Sequence, residues 1–396
     1  MSGVIGVIGM LALLGIAFII SENRKAIDYH PVIGGLLLQL TFAFIILKLP
    51  IGKLLFEQLS DFVAEILGFS TDGADFLFGA LMDTGFSFAL SVIPTIIFFS
   101  SLMSVLYYLG IVQKVVKVMA KVMKKAMDLS GAESLSAAAN VFVGQTEAPL
   151  VVKRYVPDMT RSEVMALMTG GMSTVAGGVM AGYIGMGINA GYLLAASIMS
   201  APAALVMAKI IIPETKESAI SGDIDIDLEI ENTNIIDAAA EGASEGLKLA
   251  LNVAAMLLAF VSLIALINYP LSFIGISLEE ILGYLFAPLS FLMGVPVEEI
   301  QEVGSLLGQK MAINEFVAYS QLAGMIKEGT LSTKSELIAT FALCGFSNFS
   351  SIAIQVGGIG SLAPERRGEI ASLGIRALIG GTLATYMTAT IAGILL

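Results

Sequence analysis

Residues 140–150 read NVFVGQTEAPL, and Gln145, Thr146 and Glu147 interrupt a chain that is otherwise apolar enough to live in a bilayer. Three consecutive polar side chains, one of them a carboxylate, are costly at membrane depth. They persist there only where they face protein, water or a ligand. Gly144 before them and Pro149 after them break helical continuity, which points to a hairpin tip or a broken helix. Irregular backbone at that depth is tolerated where it lines a cavity. A second stretch echoes the first: residues 308–316 read GQKMAINEF, again Gly-Gln followed by a carboxylate, Glu315. Each stretch precedes an apolar span holding a small-polar cluster, STVAGG at 173–178 and FSNFSS at 346–351. Interrupted hydrophobic segments at matching places in two halves are the sequence pointer to a transporter binding site. Two coincidentally similar loops would share Gly-Gln but not the clusters that follow.

Composition leads to the same class. Charged residues make up 14% of the 396, against about 25% in soluble domains, and mean hydropathy is +0.88. Several windows reach the roughly 20 apolar residues that cross a hydrocarbon core. The chain therefore reads as an all-α polytopic membrane protein. Its net charge of −12 argues against nucleic acid, whose phosphates demand a basic face. Much of the acidic excess sits in one segment, so it says little about substrate. One cysteine, Cys344, and one histidine, His30, exclude an intrachain disulfide, a Cys/His zinc cluster and a Ser-His or Cys-His pair beside the polar clusters.

Hydropathy divides the chain into eight full spans, at 3–20, 32–47, 84–108, 163–186, 191–212, 246–268, 335–357 and 370–396. The first has no basic residue ahead of it and SENRK behind it, so it reads as a retained span and not a signal peptide. Residues 49–83, with Glu57, Asp61, Glu65, Asp72, Asp75 and Asp83, read as a loop carrying a short amphipathic helix. In VQKVVKVMAKVMKKAM the lysines recur three to four apart, with Val and Met between, the pattern of a helix lying in the membrane interface. Residues 214–245 are a composition break. DIDIDLEIE at 223–231 alternates acid and aliphatic and permits a short strand. Without the glycine and terminal glutamate of a calcium loop, the segment reads as a solvated connector. Residues 271–303 read as interfacial helix and loop. Two hairpins dipping in from opposite faces bring the main basic clusters to one side, which the positive-inside bias makes cytoplasmic, with both termini outside. Lys48, Lys53, Lys327 and Lys334 fall on the other side.

NVFVGQTEAPL, MSTVAGGVMAGY (172–183), GQKMAINEFVAY (308–319) and CGFSNFSSIAI (344–354), in that order and spacing, resemble the concentrative nucleoside transporter family, most closely its sodium-coupled bacterial members. The resemblance covers nearly the whole chain, including SENRK and DAAAEGASEGLKLALN at 237–252. It implies a homotrimer in the bacterial inner membrane, in contact with lipid, whose outer spans carry a mobile domain of two inverted repeats. Each repeat supplies a re-entrant hairpin and a broken helix. On this basis residues 1–111 are scaffold spans, 112–213 the first repeat, 214–271 the acidic connector with the sixth span, and 272–396 the second repeat. The function implied is import of a nucleoside on a cation gradient by an elevator-like movement.

Carried over residue by residue, the resemblance places Gln145 and Thr146 at the nucleobase with Glu147 beside them, and Val179 as an apolar wall. Glu315, Asn348 and Ser351 hold the ribose, with Phe346 packed nearby. Sodium is held by the Asn140 side chain, the Thr174 hydroxyl and the carbonyls of Val143 and Val175; some relatives have serine at the Thr174 position, which supplies the same hydroxyl. The chemistry suits these roles. An amide offers donor and acceptor together, as a base edge requires, and Gln145 with Thr146 accommodates uracil, cytosine or adenine. A carboxylate and an asparagine suit vicinal hydroxyls, and leaving such groups unpaired costs about 1–3 kcal/mol each, so loss of the 3′-hydroxyl is expected to weaken binding. The alternative within transport is proton coupling through Glu147 or Glu315. A membrane-embedded enzyme would find no nucleophile–base pair or metal cluster among these residue types, which leaves it only an all-carboxylate mechanism. A channel would call for charged or carbonyl rings.

Overall fold

Apolar windows become helices because a backbone in hydrocarbon must satisfy its own hydrogen bonds. The computed structural model describes residues 2–84, 87–216, 218, 220 and 232–395, and among these no strand occurs. The first helices are α1 (Ser2–Ile19), α2 (Tyr29–Leu47), α3 (Pro50–Phe78), α4 (Ile93–Tyr108) and the lysine-bearing α5 (Ile111–Met127). The first hairpin is α6 (Gly131–Ala139), an irregular tip and α7 (Ala148–Val151). The first broken helix is α8 (Arg161–Ser173) with α9 (Gly177–Gly185), followed by α10 (Ala190–Ile211) and α11 (Ile235–Ser272). After α12 (Leu278–Leu292) comes the second hairpin, α13 (Ile300–Ala312) and α14 (Glu315–Glu328). The second broken helix, α15 (Thr333–Leu343) with α16 (Phe349–Leu362), and α17 (Arg367–Leu395) complete the chain. Six stretches, α2, α4 with the turn before it, α8–α9, α10, α11 and α17 with its leading turn, are long and apolar enough to cross a membrane. The helix over 3–19 and α16 are shorter apolar pieces.

Two sequence expectations need correction. Residues 49–83 are not a loop with a short helix: α3 runs unbroken for 29 residues with Pro50 at its start. Proline is at home in a helix's first turn. Gly68 and Gly73 inside α3 have open space around them and are tolerated. The connector also ends earlier than its composition suggests. Asn234 accepts from the amides of Ile236 and Asp237, and this cap starts α11 at Ile235, inside the segment read as solvated. Alanine and glutamate in DAAAEGASEG favour helix whatever their polarity. The DIDIDLEIE run lies outside the described residues.

The helices sort into two groups by burial. The membrane-length windows of α8–α9, α10 and α17 are 89%, 89% and 83% buried, whereas those of α4 and α11 are 17% and 6% buried. An inner bundle is thus wrapped by outer helices that face out. On α11 the buried residues are Ala238, Gly242, Gly246 and Ala250, one stripe at intervals of four. A Cβ on Gly246 would lie 2.9 Å from Ile97 Cα of α4, the close approach that small residues permit between membrane helices.

One end of the inner bundle carries a buried ion pair. Lys209 Nζ of α10 lies 2.5 Å from Glu133 Oε1 of α6 and donates to Ser162 Oγ at 3.0 Å. Glu133 also closes a capping box with Ser130. Lys209→Met is expected to destabilise the protein by about 3–5 kcal/mol by stranding a buried carboxylate. Lys209→Met/Glu133→Gln is expected to recover much of that loss. Thermal unfolding of the three proteins in one detergent checks this; equal melting of the single and double variants would refute it.

Candidate substrate cavity and cation site

The site is assembled where both helices of the inner bundle break. The first break, Thr174–Ala176, and the second, Cys344–Asn348, meet each other: the Phe346 amide donates to the Thr174 carbonyl at 3.3 Å. A Cβ on Gly345 would sit 2.9 Å from the Met172 carbonyl, so only glycine lets the chains approach this closely. The first hairpin's tip docks on the same place. Gly177 donates to the Phe142 carbonyl at 3.0 Å, and a Cβ on Gly171 would lie 2.9 Å from Gln145 Cβ.

Beside this crossing lies a cavity of about 270 Å³, near the lower end of the range for small-molecule sites, roughly 300–1,000 Å³. All eight residues assigned to substrate from the sequence line it: Gln145, Thr146, Glu147, Val179, Glu315, Phe346, Asn348 and Ser351. They come from the first hairpin's tip, the start of α9, the start of α14, the second break and the first turn of α16. The first turns of α9, α14 and α16 thereby face the cavity, and helix N-termini favour polar oxygens and negative charge.

The polar groups form one connected set. Glu315, buried, accepts from Asn348 Nδ2 at 2.9 Å and from the Tyr183 hydroxyl at 3.2 Å. Asn348 caps α16, its Oδ1 accepting from the Ser351 amide at 3.0 Å and from Ser350 Oγ at 2.6 Å. Ser351 Oγ accepts from Gln145 Nε2 at 3.0 Å, which ties the first hairpin to the second broken helix. Gln145 Oε1 is buried with no hydrogen-bond partner. Thr146 and Glu147 are exposed to the cavity, and the threonine hydroxyl donates to Glu147 Oε1 at 2.8 Å.

Sequence reasoning left out three contributors. Tyr183 holds Glu315 and stacks on Tyr319 at 4.2 Å between ring centroids. Asn314 lines the cavity and caps α14 through the Val317 amide at 3.0 Å. Leu249, Asn252, Val253, Met256 and Leu257 of α11 form a wall. Their spacing of i, i+3, i+4, i+7 and i+8 is one helical face. Beyond Asn252 the helix is apolar on nearly every side, so that face does not stand out.

The four residues assigned to sodium sit at the first hairpin's tip and the first break. Asn140 donates through Nδ2 to the Ser136 carbonyl at 3.0 Å, while its buried Oδ1 has no partner. Thr174 donates its hydroxyl proton to the Gly170 carbonyl at 3.1 Å, which leaves the oxygen as an acceptor only. Val143 and Val175 lie outside helices, and their carbonyls accept no backbone hydrogen bond among the described residues. An orphaned amide oxygen among neutral oxygen donors fits a hard monovalent cation.

Models of three families match in tandem: "Na+ dependent nucleoside transporter N-terminus" over residues 8–81, "Nucleoside recognition" over 89–190 and "Na+ dependent nucleoside transporter C-terminus" over 192–393. An uncharacterised transporter of Haemophilus influenzae is 49% identical, over 100% of this chain and 98% of its own. The nucleoside permease NupC of Helicobacter pylori is 43% identical, over 99% and 98%. The solved structure of CNTnw in an inward-facing, substrate-bound state superposes with a TM-score of 0.95 at 44% identity, over 100% of this chain and 98% of that one. With these matches spanning the chain, it belongs to the Na+ dependent, concentrative nucleoside transporter family.

Proposed function

We propose that the protein is a sodium-coupled nucleoside symporter of the bacterial inner membrane, working as a homotrimer by an elevator-like movement of its inner bundle. The observation that carries the substrate reading is the single cavity at the helix crossing, to which both repeats contribute. In it Gln145 presents an unpaired carbonyl oxygen to a base edge, and Thr146 and Glu147, exposed and hydrogen-bonded to each other, lie beside it. Glu315 and Asn348 face the ribose hydroxyls, already fixed by Tyr183 and the cap of α16. Val179 and Phe346 supply apolar walls. The division proposed is 1–111 as scaffold, 112–213 and 272–396 as the two repeats, and 214–271 as connector and sixth span. The contrast between buried inner helices and exposed α4 and α11 supports it.

Asn140, Thr174 and the carbonyls of Val143 and Val175 would hold the sodium. When bound, that ion supplies the driving force and a positive charge at the break. The chain's part is to present the oxygens. The tip of hairpin one and the end of α8 each contribute, so filling the site fastens one to the other and steadies Gln145 beside them.

Uptake of labelled uridine into proteoliposomes tests the reading. Accumulation above equilibrium is expected on an inward sodium gradient and not on an equal potassium or pH gradient. Accumulation on the pH gradient alone would instead favour proton coupling through Glu147 or Glu315. Glu315→Gln is expected to weaken uridine binding by about 1.5–3 kcal/mol, roughly 10- to 150-fold. 3′-Deoxyuridine on the unmodified protein is expected to lose a similar amount; an undiminished affinity would displace Glu315 from the ribose. Asn140→Ala is expected to abolish the rise in melting temperature that sodium gives the purified protein. A sodium-induced rise unchanged in that variant would move the cation elsewhere.

A further inference from the structure

The second repeat holds a cation of its own. Lys310, in the last turn of α13, is 1% exposed, and among the described residues no carboxylate lies within ion-pair distance of it. Its ammonium donates to the Ala342 carbonyl at 2.8 Å and to Thr385 Oγ1 at 3.3 Å. Ala342 belongs to the last turn of α15, where helix carbonyls have no partner within the helix and carry partial negative charge. Thr385 donates its own proton to the Thr382 carbonyl at 3.0 Å. Its oxygen is therefore an acceptor only, as is that of Thr174 in the first repeat.

The placement follows the first repeat element by element. There, Asn140 at the end of α6 lies against Gly170, whose carbonyl takes the Thr174 hydroxyl proton, and Ser197 of α10 donates to the adjoining Val141 carbonyl at 3.1 Å. Here, Lys310 at the end of α13 meets Ala342 at the end of α15 and Thr385 of α17. A hairpin's first arm, the C-terminus of a broken half-helix and the span that follows converge in both. In one repeat the hairpin brings an amide oxygen that lacks a partner; in the other it brings an ammonium. Half-helix C-termini are where transporters of this architecture hold their coupling ions.

We propose that the Lys310 ammonium is a tethered cation filling the second repeat's counterpart of the first repeat's sodium site. The oxygens it occupies, Ala342 O and Thr385 Oγ1, form a small-monovalent-cation site once the side chain is shortened. The proposal rests on the sodium reading of Asn140 and Thr174, and the test separates the two. Equilibrium binding of radioactive sodium is measured per protomer for the unmodified protein, Asn140→Ala, Lys310→Ala and the double variant, each shown to be folded by circular dichroism and gel filtration. Lys310→Ala is expected to bind one sodium more than the unmodified protein, and the double variant to keep that ion while losing the first. Lys310→Ala binding no more sodium than the unmodified protein overturns the proposal. Undiminished binding by Asn140→Ala overturns only the reading of the first site. Should Lys310→Ala not fold, Lys310→Met decides, since it keeps length and packing but removes the charge. A melting temperature lower by about 5 °C or more is expected, and melting like the unmodified protein refutes a role for the ammonium.

Discussion

The structure depends on one constraint: two helices break inside the apolar part of the chain, and each break strands backbone groups that hydrocarbon cannot satisfy. An unsatisfied group there costs several kcal/mol. The breaks answer each other, through the Phe346 amide on the Thr174 carbonyl and Gly345 against Met172. The hairpin tip answers one more, the Phe142 carbonyl accepting from the Gly177 amide. Because three chain segments must meet to satisfy one another, the crossing is also the place where side chains from distant stretches converge. The cavity is a by-product of that convergence, and its polar lining is tolerated because the crossing has already excluded lipid.

Around this centre the burial pattern follows from what each helix must hide. α8–α9, α10 and α17 carry the small and polar residues that pack or hydrogen-bond inside, and they are nearly enclosed. Beyond Asn252, α11 is apolar enough to face lipid except where it walls the cavity, while its stripe Ala238, Gly242, Gly246 and Ala250 comes close to α4. A contact made of small residues and backbone is flat, whereas the inner helices interlock through side chains and buried pairs such as Lys209–Glu133. The cavity lies between these two kinds of surface, with the inner bundle supplying most of its polar groups and α11 a wall that is apolar but for Asn252.

Much of this was legible in the sequence because polar residues in a greasy chain advertise themselves. Gln145, Glu147, Glu315 and Asn348 stood out against an apolar background, and the family's motifs extended the assignment to Val179 and Phe346, which nothing local would single out. What stayed hidden was of two kinds. The length of α3 and the early start of α11 do not show in hydropathy, because helix propensity and a single capping Asn234 decide the backbone whatever the side chains' affinity for water. Tyr183, Asn314 and the α11 wall were missed because their roles exist only once helices distant in sequence are packed together. Tyr183 in MSTVAGGVMAGY looks like any aromatic residue near a span's end until Glu315, 132 positions away, is placed against its hydroxyl.

The state of the cavity's hydrogen bonds bears on how tightly it can hold anything. Its polar groups are closed on one another: Gln145 on Ser351, Thr146 on Glu147, and Tyr183 and Asn348 on Glu315. The Gln145 amide carries two Nε2 protons, of which one goes to Ser351 Oγ, so a ligand can take the second without breaking that bond. The unpartnered Gln145 Oε1 is a buried acceptor whose satisfaction is worth about 1–3 kcal/mol. On the proposed reading, recognition of a base turns on the donor it offers to that oxygen, and affinity for the ribose on how much of the Glu315 network survives its arrival. Gln145 sits on the first hairpin's tip and Ser351 on the second broken helix, so a ligand held by both would join the two proposed repeats.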